Sequence, residues 1–220
     1  MSAATAPREP LLRYREAFDG RNLSADAAGA QRRAAFEHFL KLGFPAAREE
    51  AWKYTSLRRL ESRQFAPSPP GLLPDAAALS SMLAGPRIVL VNGEPRPELS
   101  SDLDRTGQLR LRSLGQALAE GMSAATLLRV PVGGGTERFA ALNAAMCPDT
   151  LVIEVGQNAR PTQVPHLLLV SCGDAPLMSH PRIVLRAAAG SQARIVLHHV
   201  GTGDSEHFVN SFVDVEVGPD

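Results

Sequence analysis

Histidines and cysteines in the C-terminal third of the chain are the residues whose types could bind a metal ion. Cys172 with His180 form one grouping, and His198, His199 and His207 form another. Thiolate sulfur and imidazole nitrogen are common zinc ligands, but neither spacing supplies a complete ligand set. Adjacent residues on a strand point to opposite faces, so His198 and His199 cannot both reach one ion without distortion. We therefore predict structural or surface roles for these side chains, and no metal site.

A glycine run, Gly133–Gly135, invites comparison with phosphate-binding loops. Those loops are followed by Lys and then Ser or Thr, and neither that pair nor a dinucleotide-binding spacing is present here. The run is predicted to be a hinge. The basic pairs Arg32-Arg33 and Arg58-Arg59 are predicted to lie on solvated helix faces.

Trp52 and Tyr54 lie close together in a chain with only 5% aromatic residues. Aromatic side chains often anchor protein interfaces, so a docking surface is one interpretation. A lone tryptophan more often holds a small helical subdomain together, and the sequence favours this second interpretation.

The composition describes a globular chain without a strong charge bias. Its 220 residues are 44% hydrophobic, which suffices for at least one core. Lys and Arg number 23 and so do Asp and Glu, which argues against a nucleic-acid partner. No run approaches the roughly 18 apolar residues of a membrane span, and the start lacks a basic segment followed by an apolar one. Two cysteines make no disulfide framework and fit a reducing compartment, so we expect a cytoplasmic protein without membrane contact.

The first third of the sequence predicts three helices. Pro10–Phe18 has apolar residues at helical spacing, and a second helix covers about Asp26–Leu42 with Gly43 as its stop. A third begins near Arg48 and ends before the proline-rich linker Ala66–Pro74.

Shorter elements of both kinds are predicted in the middle of the chain. Patterns of apolar and turn residues predict the following elements: a helix at Asp75–Ala84, strands at Arg87–Val91 and Leu109–Arg112, a helix from Ser113 to about Glu120, and a helix from Thr136 to Pro148.

The last seventy residues read as a series of short strands separated by turn residues. The predicted strands are Thr150–Val155, Val164–Val170, Arg182–Ala187, Ala193–Val200 and Phe208–Val217. Their spacing is too tight for crossover helices, so the sheet is either antiparallel or wound as a solenoid. Arg-Ile-Val-Leu at Arg182 and again at Arg194 could mark successive turns of a solenoid, but one tetrapeptide establishes no period. An uncapped solenoid edge would self-associate, which gives a homodimer as one expected state.

Several segments together resemble the SufD family of the SufBCD iron–sulfur cluster assembly complex. Glu50–Thr55 is similar to an acidic-x-Trp-basic-Tyr-Thr motif, and Val91-Asn92-Gly93 to a strand followed by an Asn-Gly turn. Phe139–Ala145 resembles a Phe-x-Ala-Leu-Asn-x-Ala helix. His180-Pro181-Arg182 and Asn210 are similar to positions in the first turns of that family's right-handed β-helix.

The resemblance implies an α+β fold in three parts. These are a helical domain at 1–65, a mixed α/β connector at 66–148 and the first turns of a right-handed parallel β-helix at 149–220. It covers about half of a family member, which implies a fragment. The C-terminal segment that contacts the family's ATPase would then be missing, and with it stable binding to that ATPase.

The resemblance also implies a non-catalytic scaffold or adaptor subunit that pairs with SufB-like and SufC-like partners, the latter being the ATPase. An iron–sulfur cluster usually takes four thiolates, so Cys147 and Cys172 alone cannot hold one. Any cluster would be transient and shared with a partner, and this chain would hold no cofactor of its own. The chain departs from the family at His198-His199 and at Cys147-Pro148, and the family's histidine for cluster assembly would lie beyond Asp220. No catalytic residue carries over, and the cofactor-binding residues stay unassigned.

Two other functions are open. A metal-dependent enzyme of the cupin type would use the histidines between Gly190 and His207, although a cupin needs His-x-His rather than His198-His199. The other alternative is a stand-alone interaction module.

Overall fold

The computed structural model describes residues 9–46, 48–74, 85–103, 107–133 and 135–219. Its α-helices are α1 (Glu9–Asp19), α2 (Ala27–Leu42), α3 (Arg58–Ser62), α4 (Leu114–Ala119), α5 (Ala124–Leu127) and α6 (Glu137–Met146). Its strands are β1 (Ala66–Pro67), β2 (Arg87–Val91), β3 (Glu94–Pro95), β4 (Leu109–Arg112), β5 (Leu151–Val155), β6 (His166–Ser171), β7 (Leu177–Ser179), β8 (Arg182–Ala187), β9 (Val196–Gly201), β10 (His207–Val209) and β11 (Phe212–Val217). Short 3₁₀ helices cover Glu50–Trp52 and Pro97–Leu99.

The described residues divide into two compact units. The helical unit comprises those within Met1–Ala66 and Ala124–Met146, and the sheet unit comprises those within Pro67–Ser123 and Cys147–Asp220. The three domains predicted from the sequence, 1–65, 66–148 and 149–220, stay a prediction.

Aromatic packing forms the core of the helical unit. Phe36 and Phe39 of α2 are 1% and 0% exposed, and the ring of Phe18 stacks on Phe36 with centroids 4.0 Å apart. Tyr14 meets Phe39 edge to face at 5.9 Å. These contacts place the apolar stripe of α1 against α2, as expected from the helical spacing of its residues.

The ends of α2 confirm the sequence prediction. Asp26 is the N-cap, and its carboxylate accepts a hydrogen bond of 2.8 Å from the Gly29 amide. Gly43 ends the helix at a φ of +65°, where glycine is favoured, and its amide donates to the Phe39 carbonyl.

The predicted third helix was wrong as a single element. The chain forms the 3₁₀ turn Glu50–Trp52 and then, after a break, the five-residue helix α3. Neither element has a side-chain N-cap, and neither buries a residue completely. Short helices need capping or packing to persist. Because neither a side-chain cap nor full burial is present here, the helix propensity of the sequence was not enough to form one continuous helix.

Three open sheets make up the β structure, with strand orders β1-β7-β10, β11-β8-β5-β4 and β3-β2-β6-β9. The described strands thus form mixed sheets with many parallel pairs, and they do not close into a barrel. Of the two pairings that the sequence allowed for the strand series, the parallel one is observed. The antiparallel pairs are β2 with β3 and β4 with β5.

The parallel pairs among strands β5 to β11 share a nearly constant offset along the chain, whereas Arg87 of β2 and its partner His166 of β6 lie 79 positions apart. Ile183 is paired with Val213, Leu167 with Leu197, and Leu177 with His207, so each partner lies 30 positions further on. Leu151 and Ile183, paired between β5 and β8, differ by 32. Arg182 begins β8, but Arg194 precedes β9 and belongs to no strand, and β8 and β9 lie in different sheets, so the two Arg-Ile-Val-Leu segments do not pair.

Strands β2, β5, β6 and β8 bury apolar side chains on both of their faces. One cluster contains Ile88, Leu90, Ile153, Leu169 and Ile183, each at most 2% exposed. The other faces of β2 and β6 form a second cluster with Val89, Val91, Leu168, Val170 and Cys172. Burial on both faces explains why these strands read as continuous apolar runs rather than alternating ones.

Several strand boundaries differ from the prediction. Phe208–Val217 was predicted as one strand but forms two, β10 and β11, separated by Asn210 and Ser211. The three-residue strand β7 was not predicted. The helix predicted at Asp75–Ala84 lies outside the described residues.

Candidate functional site

The Asn-Gly turn after β2 is fastened to the end of β6 by hydrogen bonds. Asn92 has a φ of +48°, its side-chain oxygen accepts from the Cys172 amide at 3.0 Å, and its nitrogen donates to the Cys172 carbonyl at 2.9 Å. Cys172 is only 4% exposed, and burial raises the pKa of its thiol. A raised pKa works against formation of the thiolate, which is the form that attacks as a nucleophile and binds metal ions.

Cys147, directly after α6, is completely buried. Such burial is typical of a free cysteine that packs as a small apolar side chain. Both cysteines are free thiols rather than a disulfide.

His180 contacts Asn210, 30 positions further along the chain. Both residues are among those that carry the resemblance to the SufD family. Nδ2 of Asn210 lies 3.2 Å from Nδ1 of His180, and both residues are at most 9% exposed. Ser179 is paired with Val209 and Arg182 with Phe212, so His180 and Asn210 occupy equivalent positions in the bends that follow β7 and β10. The Phe208 ring packs edge to face on His180 at 5.9 Å.

The grouping of His198, His199 and His207 does not come together as one site. His198 lies beside His166, whereas the next residue, His199, is exposed. This alternation is the one expected from strand geometry. The ring nitrogens of His207 are buried without a hydrogen-bond partner among the described residues, and burial lowers the pKa of this imidazole.

His166 is the residue that sequence reasoning missed. It lies 32 positions before His198, and only the offset of 30 between β6 and β9 shows that residues so separated are neighbours. Within the described ranges, no cluster of three or more His, Cys, Asp or Glu side chains could hold a metal ion.

Trp52 packs within the helical unit. Its Nε1 donates a 2.8 Å hydrogen bond to the Gly135 carbonyl, and its ring lies 5.3 Å from that of Phe139. These contacts fit the structural role expected for Trp52. Tyr54, by contrast, is 91% exposed, with the Lys53 ammonium 4.9 Å from its ring centroid.

The described part of the glycine run contacts helix α6. Gly133 and Gly135 both have positive φ, and the Gly133 amide donates to the Glu137 carboxylate at 3.0 Å. That carboxylate also lies 2.6 Å from Nε2 of His38. The Gly133 hydrogen bond first, and then that of His38, lower the pKa of Glu137.

Two arginines, Arg32 and Arg112, are buried. Arg32 was predicted to be solvated but is only 5% exposed, and its guanidinium donates to the Ala144 carbonyl at 3.4 Å. Arg112 is 7% exposed because it forms ion pairs with Glu120 and Glu154. A buried charge requires such partners, and the two carboxylates supply them. Arg58 and Arg59 are exposed as predicted.

No helix among the described residues has the length and apolar character that crossing a membrane requires.

Two known proteins resemble this chain in sequence, although no protein-family model matches it. It is 27% identical over 184 residues to the iron–sulfur cluster assembly protein SufD of Escherichia coli (strain K12), an alignment that covers 82% of this chain and 41% of that protein. It is also 27% identical over 169 residues to an iron–sulfur cluster assembly SufBD family protein of Synechocystis, which covers 75% of this chain and 37% of the relative. The chain thus spans about two fifths of the length of the curated relatives it matches.

Proposed function

Because the chain is SufD-like over most of its length, as its sequence motifs predicted, we propose that it is a non-catalytic scaffold or adaptor subunit in iron–sulfur cluster assembly. The observation that carries this proposal is the similarity to two curated cluster-assembly proteins across at least 75% of the chain. We place the protein in the cytoplasm, with the rest of a SUF machinery.

The fold that we propose for the C-terminal part is a right-handed parallel β-helix. Three sheets carry parallel pairs, and the pairs β8–β11, β6–β9 and β7–β10 share the same 30-residue offset. A coil with three strands per turn and about thirty residues per turn produces such a pattern, because each strand then lies on its equivalent in the previous turn.

A scaffold role suits the chemistry of the described residues. Both cysteines are buried, and the thiol of Cys172 has a raised pKa. Holding a cluster usually takes four thiolates, so a cluster would be shared with a partner and held only transiently. The chain itself would keep no cofactor, and ATP would be consumed by a partner.

The partners that we propose are a SufB-like subunit and a SufC-like ATPase, with a homodimer as an alternative assembly. Parallel strands that are buried on both faces make a rigid body, which can present side chains to a partner at fixed positions. No observation favours a cupin-type enzyme over this role, since the described sheets stay open.

The proposal is tested by co-purification and genetic replacement. The protein is co-expressed with the SufB-like and SufC-like proteins of its own organism, and a bacterial strain that lacks SufD is supplied with the three genes. We expect a stable complex and recovery of an iron–sulfur enzyme activity, with no recovery when the tested gene is omitted. An isolated monomer that restores nothing, although it is folded by circular dichroism, would reject the proposed function.

A further inference from the structure

Two imidazoles on neighbouring parallel strands face each other. His198 of β9 is paired with Leu168 of β6, and His166 lies two residues before Leu168. Residues two apart on a strand share a face, so His166 and His198 are diagonal neighbours on one side of the sheet. Nδ1 of His166 and Nε2 of His198 are 2.8 Å apart.

The two rings meet edge to edge. Their centroids are 5.1 Å apart and their planes differ by 29°. This centroid separation is the one that results when two imidazoles point one nitrogen each along the line between the rings. The lone pairs lie in the ring planes, so both are directed into the same narrow space. With neutral rings, one proton shared between the nitrogens satisfies both.

A metal ion can take the place of that proton. We propose that His166 and His198 form a binding site for a divalent transition-metal cation of the Cu²⁺, Ni²⁺ or Zn²⁺ class. Nitrogen ligands lie about 2.0–2.1 Å from zinc, which puts two of them about 3.3 Å apart in a tetrahedral site. From 2.8 Å the two nitrogens need to separate by about 0.5 Å, and the rings must also tilt so that both lone pairs point at the ion.

The surroundings allow this adjustment. Both histidines are partly exposed, so the rings can move and water can fill the remaining coordination positions. The charged residue paired in register with His166 is Arg87. Its guanidinium is engaged elsewhere, because its Nε donates to the Leu99 carbonyl at 3.1 Å. Imidazole selects this class of cation, whereas Mg²⁺ prefers oxygen ligands. Two protein ligands give a modest, exchangeable affinity, and the inference does not rest on the proposed function.

Calorimetric titration of the purified, untagged protein with CuCl₂, NiCl₂, ZnCl₂ and MgCl₂ at pH 7.5 tests the site. The variants are His166→Gln and His198→Gln, which remove one imidazole each and keep a polar side chain. His199→Gln is the matched control, because it removes an exposed imidazole from the adjacent position of the same strand. We expect tightest binding of Cu²⁺, no binding of Mg²⁺, at least a tenfold loss of Cu²⁺ affinity in each test variant, and unchanged affinity in the control.

Electron paramagnetic resonance of the Cu²⁺-loaded protein supplies a measurement that needs no variant. Coupling to two imidazole nitrogens is expected in the unaltered protein. The proposal is overturned if the unaltered protein binds none of the three transition metals, if the test variants bind Cu²⁺ as tightly as the control, or if the spectrum shows fewer than two coupled nitrogens. In each of those cases the two histidines form a hydrogen bond only.

Discussion

Asn92 shows how one side chain can replace several backbone contacts. It adopts a positive φ and satisfies the amide and the carbonyl of Cys172, so the turn after β2 is held at the end of β6. Asparagine tolerates this conformation better than most residues, and its amide carries both a donor and an acceptor. The Asn-Gly pair was recognised in the sequence as a turn. The contact of Asn92 with Cys172, 80 positions away, was not predicted, because the residues around Cys172 give no sign of it.

Replacement of Asn92 separates backbone strain from hydrogen bonding. Asn92→Gly keeps access to positive φ but leaves the Cys172 amide and carbonyl unsatisfied, which should lower the free energy of unfolding by about 1–3 kcal/mol. Asn92→Ala should cost more, because it adds the strain of an alanine at positive φ. Urea denaturation measures both. Equal stability of the glycine variant and the unaltered protein would show that the hydrogen bonds to Cys172 contribute nothing.

Two carboxylates of the helical unit should make its stability depend on pH. Hydrogen bonds from the Ala46 amide and then from Arg138 lower the pKa of Glu49, and those from Gly133 and His38 lower the pKa of Glu137. A carboxyl whose pKa is lower when folded stabilises the protein above its unfolded pKa, about 4.3, and this contribution is lost as pH falls through the folded value.

We therefore expect the denaturation midpoint of the helical unit to fall as the pH is lowered below about 4.5. Glu49→Gln and Glu137→Gln should reduce stability at pH 7 and flatten the profile in acid. Glu16→Gln, on an exposed part of α1, is the control. Identical acid profiles for all three variants would contradict the claim that Glu49 and Glu137 cause the loss of stability in acid. Urea titrations followed by Trp52 fluorescence provide the measurement, since this tryptophan reports on the helical unit.

At the scale of elements, capping residues predicted boundaries better than periodicity did. Asp26 and Gly43 set the ends of α2, and Ser113 caps α4 through a capping box with Gln116. The third predicted helix had apolar residues at suitable spacing but no cap, and it broke into two pieces. Arg112 shows a second limit, since its burial depends on carboxylates that only the folded chain brings near.

Two helical glycines should respond in opposite ways to alanine. A Cβ at Gly29 of α2 would collide with the Ser24 carbonyl oxygen, so Gly29→Ala must displace backbone and destabilise the protein. Gly115 of α4 is exposed, and a Cβ there would have Oγ of Ser113 as its nearest neighbour, 3.9 Å away. Gly115→Ala should therefore stabilise by up to about 1 kcal/mol from helix propensity. Thermal unfolding of both variants decides, and a stabilising Gly29→Ala would show that the Ser24 contact is unimportant.

On the scale of the whole molecule, the sequence predicted most strands but not which strands are neighbours. β2, β4 and β8 were predicted with their observed bounds. Parallel or antiparallel pairing stayed open, because apolar runs buried on both faces look alike in either arrangement. The contact between His166 and His198 stayed hidden for the same reason, since it depends on the offset between strands.

Ile183 tests whether the stacked strands act as one core. It is fully buried and paired with Leu151 on one side and Val213 on the other. Ile183→Val should cost about 0.5–1.5 kcal/mol and Ile183→Ala about 2–5 kcal/mol, because removed methyl groups leave a cavity. Hydrogen exchange should show faster opening of amides in both β5 and β11 in the alanine variant. A change confined to β8 would mean that neighbouring strands are energetically independent.

The constant strand offset also bears on how such proteins change over evolutionary time. In the pairs β6–β9 and β8–β11 each residue meets the one 30 positions further on, so a tandem gene duplication of that length would supply a new layer whose contacts already match those below it. An insertion of one residue within a strand would instead turn its inward side chains outward. Descendants of such a chain should therefore differ in length by whole layers, with smaller changes confined to the bends between strands.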